Sequence, residues 1–242
     1  MASNSKPTAI ILAGGLGTRL RAVVEDRPKV LAEVNGHPFL QYLLDQLIDW
    51  QIQDVVLCTG YLGDQIESHF GLQYHNLRLH YSQEHQPLGT AGALRLAIAL
   101  TEADTLLVLN GDSYCAADFE AFWHWYGKQD PDAALLLVNL ADTRRFGRVQ
   151  VSADGQIERF DEKDESASGA GMVNTGIYLI KRHLIENIPD ISPRSLEREV
   201  FPTWIGKRFY AYMTDCPFLD IGTPESYSQA EAFLKKMAEP QH

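Results

Sequence analysis

Short apolar runs alternate along the chain with segments whose apolar residues recur every three to four positions. Residues 10–12 open the series as a strand-like run, and 39–50 follow with Leu40, Leu43, Leu44, Leu47 and Ile48 on one helical stripe. Residues 55–58 form a second apolar run that ends at Thr59-Gly60. Residues 63–70 then predict a helix, and 77–81 alternate as a half-buried strand does. An alanine- and leucine-rich helix is predicted over 91–100, a buried strand over 105–109 running into Asn110-Gly111-Asp112, a helix over 118–128 and a strand over 134–138. Repeated strand–helix units build a mainly parallel sheet with helices on both faces. Ligands of such a sheet sit outside the carboxyl ends of its strands, where the glycine-rich turns of this chain fall.

The later pattern changes character. Residues 147–151 and 156–160 predict a hairpin around Asp154-Gly155, a pair that favours a type I′ turn. Another strand is predicted over 172–180, carrying Asn174-Thr175-Gly176, and a strand end at 218–222. Thr223 is placed to cap the final helix, with Pro224 at its first position and Glu225 following. No internal repeat and no hexapeptide pattern of a β-helix occurs. The expectation is a flexible tail over 1–8 and a single α/β domain over 9–239. Its mixed, mostly parallel, Rossmann-like sheet is flanked by helices, with a small β-rich lobe over one side of the site and no C-terminal β-helix.

Composition narrows the partners. The 242 residues carry 21 lysines and arginines against 32 acidic residues, a formal charge of -11. That balance argues against nucleic acid and against anionic membrane surfaces. An enzyme of phosphorylated substrates built this way has to cluster its few cations and recruit a divalent metal. Cys58, Cys115 and Cys216 are far apart, odd in number and free of any C-x-x-C, which predicts reduced thiols. The polar start does not read as a signal peptide, and no apolar run approaches the about 18 residues of a membrane span. These features predict a cytoplasmic protein.

The chemistry concentrates where the first strand ends, at Ala13-Gly14-Gly15-Leu16-Gly17-Thr18-Arg19-Leu20, with Pro28-Lys29 beyond it. Glycines lacking a Cβ let main-chain N–H groups approach a polyphosphate, and Arg19 and Lys29 add fixed positive charge for the same anion. Leu20 stands where a dinucleotide fingerprint needs its third glycine, and no G-x-x-x-x-G-K-[ST] occurs.

This turn, together with Pro87-Leu88-Gly89-Thr90-Ala91-Gly92, Asn110-Gly111-Asp112, Asp161-Glu162-Lys163, Asn174-Thr175-Gly176-Ile177-Tyr178 and Asp220-Ile221-Gly222-Thr223, resembles the sugar-1-phosphate nucleotidylyltransferases. The landmarks run in family order over nearly the whole chain. Within that family the compact length and Phe146-Gly147-Arg148-Val149 are most like the heptose-1-phosphate guanylyltransferases, with mannose-1-phosphate guanylyltransferases close behind.

The resemblance implies that a sugar 1-phosphate and an NTP give an NDP-sugar and pyrophosphate. It implies catalytic roles for Arg19, on the β- and γ-phosphates, for Lys29, between the α-phosphate and the sugar phosphate, and for Lys163, on the sugar phosphate. Leu12, Gly14, Gly15, Gly17, Thr18, Gly89, Thr90 and Gly111 would bind the nucleotide. Gly147, Glu162, Asn174 and Thr175 would bind the sugar, and Asp112 with Asp220 would hold one Mg²⁺. The family commonly has proline after the lysine of Glu162-Lys163, whereas Asp164 follows here. Glu84 could accept from both N1–H and N2–H₂ of guanine, which points to GTP. Heptose and hexose 1-phosphates both remain open as the acceptor.

Other features carry less. The eight histidines, His80 and His85 among them, show no metal-ligand spacing. The aromatic cluster Phe119, Phe122, Trp123, Trp125 and Tyr126 is expected in the core, and any exposed part would suit a homodimer contact. A metal-dependent glycosyltransferase would present D-x-D where Gly111-Asp112-Ser113-Tyr114 stands. A non-catalytic sugar-nucleotide sensor would have lost Arg19, Lys29 or Asp112, and none is lost.

Overall fold

A computed structural model describes residues 6–15, 17, 20, 26–161, 169–189 and 193–238. The first half contains strands β1 (Thr8–Leu12), β2 (Glu33–Val34) and β3 (His37–Pro38), helix α1 (Phe39–Asp49), β4 (Asp54–Thr59), α2 (Gly63–Phe70), β5 (Gln73–Tyr74), β6 (Leu77–Gln83), α3 (Gly89–Ala97), β7 (Thr105–Asn110), β8 (Ser113–Cys115) and α4 (Phe119–Gln129). There follow β9 (Ala133–Leu140), β10 (Arg148–Val151), β11 (Ile157–Asp161), β12 (Gly171–Lys181), α5 (Arg182–Glu186), β13 (Phe209–Thr214), β14 (Phe218–Asp220), α6 (Pro224–Ser228) and α7 (Ala230–Ala238).

The main sheet runs β11-β10-β12-β7-β1-β4-β6-β5, and β9 joins β12 to β13. β7, β1, β4 and β6 are parallel neighbours, and antiparallel pairing begins where β12 lies against β7. The mixed sheet expected from the sequence is therefore parallel where the glycine-rich turns emerge. Its central strands are buried on both faces, as parallel strands covered by helices are. In β1, Ala9 and Ile11 meet the apolar stripes of α1, α2 and α4, while Ile10 meets Ala91, Leu94 and Ala97 of α3 on the other side.

β12 ties the two halves together. Ile177–Lys181 pair with β7, and Arg148 of β10 pairs with Val173 in its earlier part. Between Asn174 and Tyr178 its register on β9 jumps, since Asn174 faces Leu137 and Tyr178 faces Leu135. Two extra residues thus bulge out at Asn174-Thr175-Gly176, and Gly176 supplies the positive φ of 80°.

Three expectations are corrected. In the β10–β11 turn only Gly155 has a positive φ, and Ser152 N–H donates to the Gln156 carbonyl. The turn is thus a three-residue loop closed by an αL glycine, longer than a type I′ turn. Thr223 does cap a helix, with a capping box to Ser226, but that helix ends at Ser228 and α7 follows separately. Residues 91–100 are helical, but the helix starts at Gly89 and its last turn, Ile98–Leu100, is 3₁₀. Among the described residues no helix is long and apolar enough to cross a membrane.

Candidate active site

A cavity of about 710 Å³ opens at the carboxyl ends of β1, β4, β6 and β7. Leu12, Gly14, Gly15 and Gly17 line it from β1, Glu84, Gly89 and Thr90 from the β6–α3 connection, and Gly111 and Asp112 from β7; Lys29 completes this set. These are residues the sequence singled out, and the topology brings them together. Close packing explains Gly14, Gly17, Gly89 and Gly111. A Cβ on Gly111 would stand 2.8 Å from the Leu12 carbonyl that its own N–H bonds. Thr18 and Arg19 of the turn, and Glu162 and Lys163 beyond β11, lie outside the described residues.

Charge gathers on the cavity floor. Lys29 begins a 3₁₀ turn after Pro28, and its Nζ donates to Asp112 Oδ2 at 2.6 Å. Gly17 packs on this lysine, since a Cβ there would meet Lys29 Cβ at 3.2 Å. Asp112 follows β7 and Asp220 ends β14, and the β8–β14 pair sets them side by side through Ile221 N–H bonded to the Asp112 carbonyl. Asp220 Oδ1 accepts from Gly222 N–H at 3.0 Å and faces Arg145 Nη2 at 3.4 Å.

Burial, and then the charge of Asp112, push the Asp220 carboxyl above its ordinary range, against the opposing pull of Lys29. A carboxyl raised in this way favours the fold in its protonated form. Its contribution is present below the ordinary carboxylate pKa and is lost as pH rises through the raised value. Asp220→Asn in EDTA is therefore expected to melt higher than the parent at pH 8, with the gap closing toward pH 3. A melting series across pH checks this, and an unchanged or lower melting temperature at pH 8 would sink it.

The two carboxylates suit a hard divalent cation. Among the described residues no third acidic, histidine or cysteine side chain joins them, so phosphate and water oxygens would have to complete the shell. That is the usual arrangement for Mg²⁺, which keeps few protein carboxylates.

The loop after β6 is held by Glu84 and by the 194–197 segment, which sequence reading missed. Glu84 Oε2 accepts from Leu88 N–H at 3.0 Å, and burial pushes its carboxyl upward. Arg194 N–H donates to the Leu88 carbonyl, and Ala91 N–H donates to the Arg194 carbonyl. Thr90 Oγ1 accepts from Leu196 N–H at 2.7 Å and donates weakly to Glu197 at 3.4 Å. Glu197 also accepts from the Tyr178 hydroxyl at 3.1 Å and from Ser195 Oγ at 3.1 Å. Tyr178 was a usable signal, because a tyrosine in an apolar central strand needs a buried hydrogen-bond partner. Arg194 Nε and Asn110 Oδ1 are buried without a partner among the described residues.

On the lobe side, Gly147 sits just before β10, where a Cβ would stand 2.7 Å from the Asp161 carbonyl. It therefore adjoins the departure point of Glu162 and Lys163. Asn174 and Thr175 do not line the cavity. Asn174 Nδ2 donates to Tyr178 Oη, and its Oδ1 accepts from Gly176 N–H, so its amide braces the bulge. Thr175 is buried, with its hydroxyl donating to the Leu136 carbonyl. The sugar contact expected of the Thr175 side chain is replaced by an anchoring bond to β9.

Comparison with known proteins accords with this geometry. The family model described as nucleotidyl transferase matches residues 8–237. The chain is 34% identical, over 94% of its length and 98% of the relative's, to a D-glycero-alpha-D-manno-heptose 1-phosphate guanylyltransferase of Aneurinibacillus thermoaerophilus. It is 33% identical to a mannose-1-phosphate guanylyltransferase of Mycobacterium tuberculosis, over 96% of this chain and 66% of that one. A crystal structure of HddC from Yersinia pseudotuberculosis, complexed with GMP-PN, superposes with a TM-score of 0.85 at 33% identity, covering 95% of this chain and 100% of that one. The chain belongs to the nucleotidyl transferase family. Its similarity over nearly the whole chain to a guanylyltransferase of a sugar 1-phosphate makes it a sugar-1-phosphate nucleotidylyltransferase.

Proposed function

We propose that the chain transfers the guanylyl group of GTP to D-glycero-α-D-manno-heptose 1-phosphate, giving GDP-heptose and pyrophosphate. The observation that carries the reaction type is the convergence of Lys29, Asp112 and Asp220 beside a glycine-framed cavity at the ends of parallel strands. The choice of base and sugar is supported by end-to-end similarity to a heptose 1-phosphate guanylyltransferase and to a structure complexed with GMP-PN. Mannose 1-phosphate is the second reading, supported by the Mycobacterium relative.

The attacking group is a phosphate oxygen of the sugar 1-phosphate, already ionised at neutral pH, so no general base is needed. It forms a bond to the α-phosphorus as the bond from that phosphorus to the β-bridging oxygen breaks, and pyrophosphate leaves. The work of the protein is to bring two polyanions in line and to balance charge on the α-phosphoryl group. Lys29 supplies a positive charge already oriented by Asp112. Arg19 is assigned to the departing phosphates, and Lys163 and Glu162 to the sugar phosphate and sugar hydroxyls. Asp112 and Asp220 would hold Mg²⁺, which when bound supplies charge neutralisation to the phosphates.

Glu84 is assigned to the guanine edge through Oε1, the oxygen that Leu88 N–H does not bond. Glutamine there can still accept from Leu88 N–H, but it then presents an amide donor toward the base. Glu84→Gln is expected to lower the preference for GTP over ATP in kcat/KM by roughly 10–100-fold, the loss of hydrogen bonding from the base to a charged oxygen. An unchanged ratio would remove Glu84 from base recognition.

The decisive test is pyrophosphate release with Mg²⁺, pairing GTP, ATP, UTP and CTP with heptose, mannose and glucose 1-phosphates. Release with GTP and the heptose phosphate at the highest kcat/KM is expected. A higher value with mannose 1-phosphate would install the second reading, and UTP or CTP as donor would overturn the assignment of Glu84. Folded protein that releases no pyrophosphate with any pair would favour a sugar-nucleotide sensor.

A further inference from the structure

Cys115 and Cys216 lie 101 positions apart in sequence, yet their sulfurs approach to 2.8 Å. Cys115 closes β8, and Cys216 stands just before β14. The two strands pair with Phe218 opposite Cys115 and Asp220 opposite Ser113, and Ala116 N–H donates to the Pro217 carbonyl. The cysteines are diagonal neighbours across this pair, at the end opposite Asp112 and Asp220. Cys115 is buried, whereas Cys216 is partly open to solvent. The third cysteine, Cys58, is buried elsewhere and directs its thiol at the Ala93 carbonyl.

We propose that Cys115 and Cys216 form a peroxide-sensitive thiol pair whose disulfide staples β8 to β14, the strand pair that positions the two aspartates. The geometry assigns the order of events. Peroxide reaches Cys216, whose sulfur attacks one peroxide oxygen; the O–O bond breaks, leaving a sulfenic acid on Cys216, and the other oxygen leaves as water with the thiol proton. Cys115 then attacks the Cys216 sulfur; the S–S bond forms, the S–O bond breaks, and the hydroxyl leaves as a second water with the Cys115 proton. Two thiols and one hydrogen peroxide thus give one disulfide and two waters, and a dithiol reductant reverses the change. The Cys115 thiol, against burial and with the Thr214 hydroxyl, favours the thiolate of Cys216, while the adjacent sulfur and then burial disfavour that of Cys115, consistent with their assigned roles. A disulfide bond is about 2.05 Å long, so the sulfurs need to close by less than an ångström.

The proposal does not depend on the choice of substrate, and its readouts do not use turnover. Wild-type protein treated with hydrogen peroxide, then digested without reduction, is expected to yield a peptide pair linked through Cys115 and Cys216. Thiol titration in denaturant should fall from three groups to one and return to three after dithiothreitol. Because the bond closes a loop of about 100 residues, the oxidised protein should melt about 10 °C higher than the reduced form. Cys216→Ser should show no peroxide-induced rise, while Cys58→Ser should keep it. Oxidation of Cys216 to sulfinic acid with Cys115 still free would overturn the pairing. A linked protein whose melting temperature does not move would overturn the staple.

Discussion

Lys29→Ala is expected to lower kcat/KM by roughly 10²–10³-fold, the usual loss when one oriented charge-stabilising group is removed, while the protein stays folded. The lysine side chain is 13% exposed and its partner Asp112 is 38% exposed, so the pair is part-buried, and the cost of desolvating the lysine offsets much of the attraction. Its proposed role is in the reaction. In the transition state, negative charge spreads over the α-phosphoryl oxygens, and Lys29 is the described cation fixed at the cavity floor by a 2.6 Å bond. Arginine at this position should recover little, because a planar fork cannot take the place of a compact ammonium packed under Gly17. Steady-state kinetics with a thermal melt on the same sample make the check. Near-parental kcat with an intact fold would take Lys29 out of the mechanism.

The same ion pair shows why part of this site could be read from sequence. A glycine cluster at a strand end and a lysine after a proline are local signatures, and each reports a backbone constraint that a neighbour imposes. Gly14, Gly17 and Gly111 lie where an added Cβ would come within 2.8–3.2 Å of side chains or carbonyls of other segments, as it would of the Glu84 carboxylate at Gly14. The strands β1, β4 and β7 were legible for the same reason: burial on both faces leaves an uninterrupted apolar run.

What escaped depends on register and on segments far apart in sequence. Asn174 and Thr175 sit in a recognisable motif, but their side chains are spent on a bulge that exists only because β12 shifts two residues against β9. Nothing local announces that shift. Glu197 lies in Leu-Glu-Arg-Glu, which reads as a solvated charge run, yet it receives the hydroxyl of the buried Tyr178. β13 carries a period-two signal, with Phe209 and Ala211 buried and Tyr210 and Tyr212 half-buried. Its parallel partner β9 lies far back in the chain, so no hairpin turn marked it.

The loop from Glu84 to Thr90 that frames one end of the cavity yields the second large effect. Gly89→Ala is expected to destabilise the protein by about 3 kcal/mol, combining the left-handed penalty of an L-residue with overpacking. Gly89 has φ +70°, and a Cβ there would lie 2.3 Å from the Arg194 carbonyl oxygen and 2.8 Å from the Arg194 carbon and nitrogen. That backbone cannot step aside freely, because Arg194 N–H is bonded to Leu88 and its carbonyl to Ala91. Any relief also strains the bond from Leu196 N–H to Thr90 and the one from Leu88 N–H to Glu84. The variant should therefore lose about 10 °C in melting temperature and show a raised KM for the nucleotide, since both partners of the loop shift together. Gly127→Ala is the matched control. It lies exposed inside α4 with nothing within 4 Å of its added Cβ, so it should stabilise by about 0.5–1 kcal/mol. If Gly89→Ala melted and bound nucleotide like the parent, the 84–90 loop would be free to move away from the 194–197 segment. The assignment of that segment as its support would then fail.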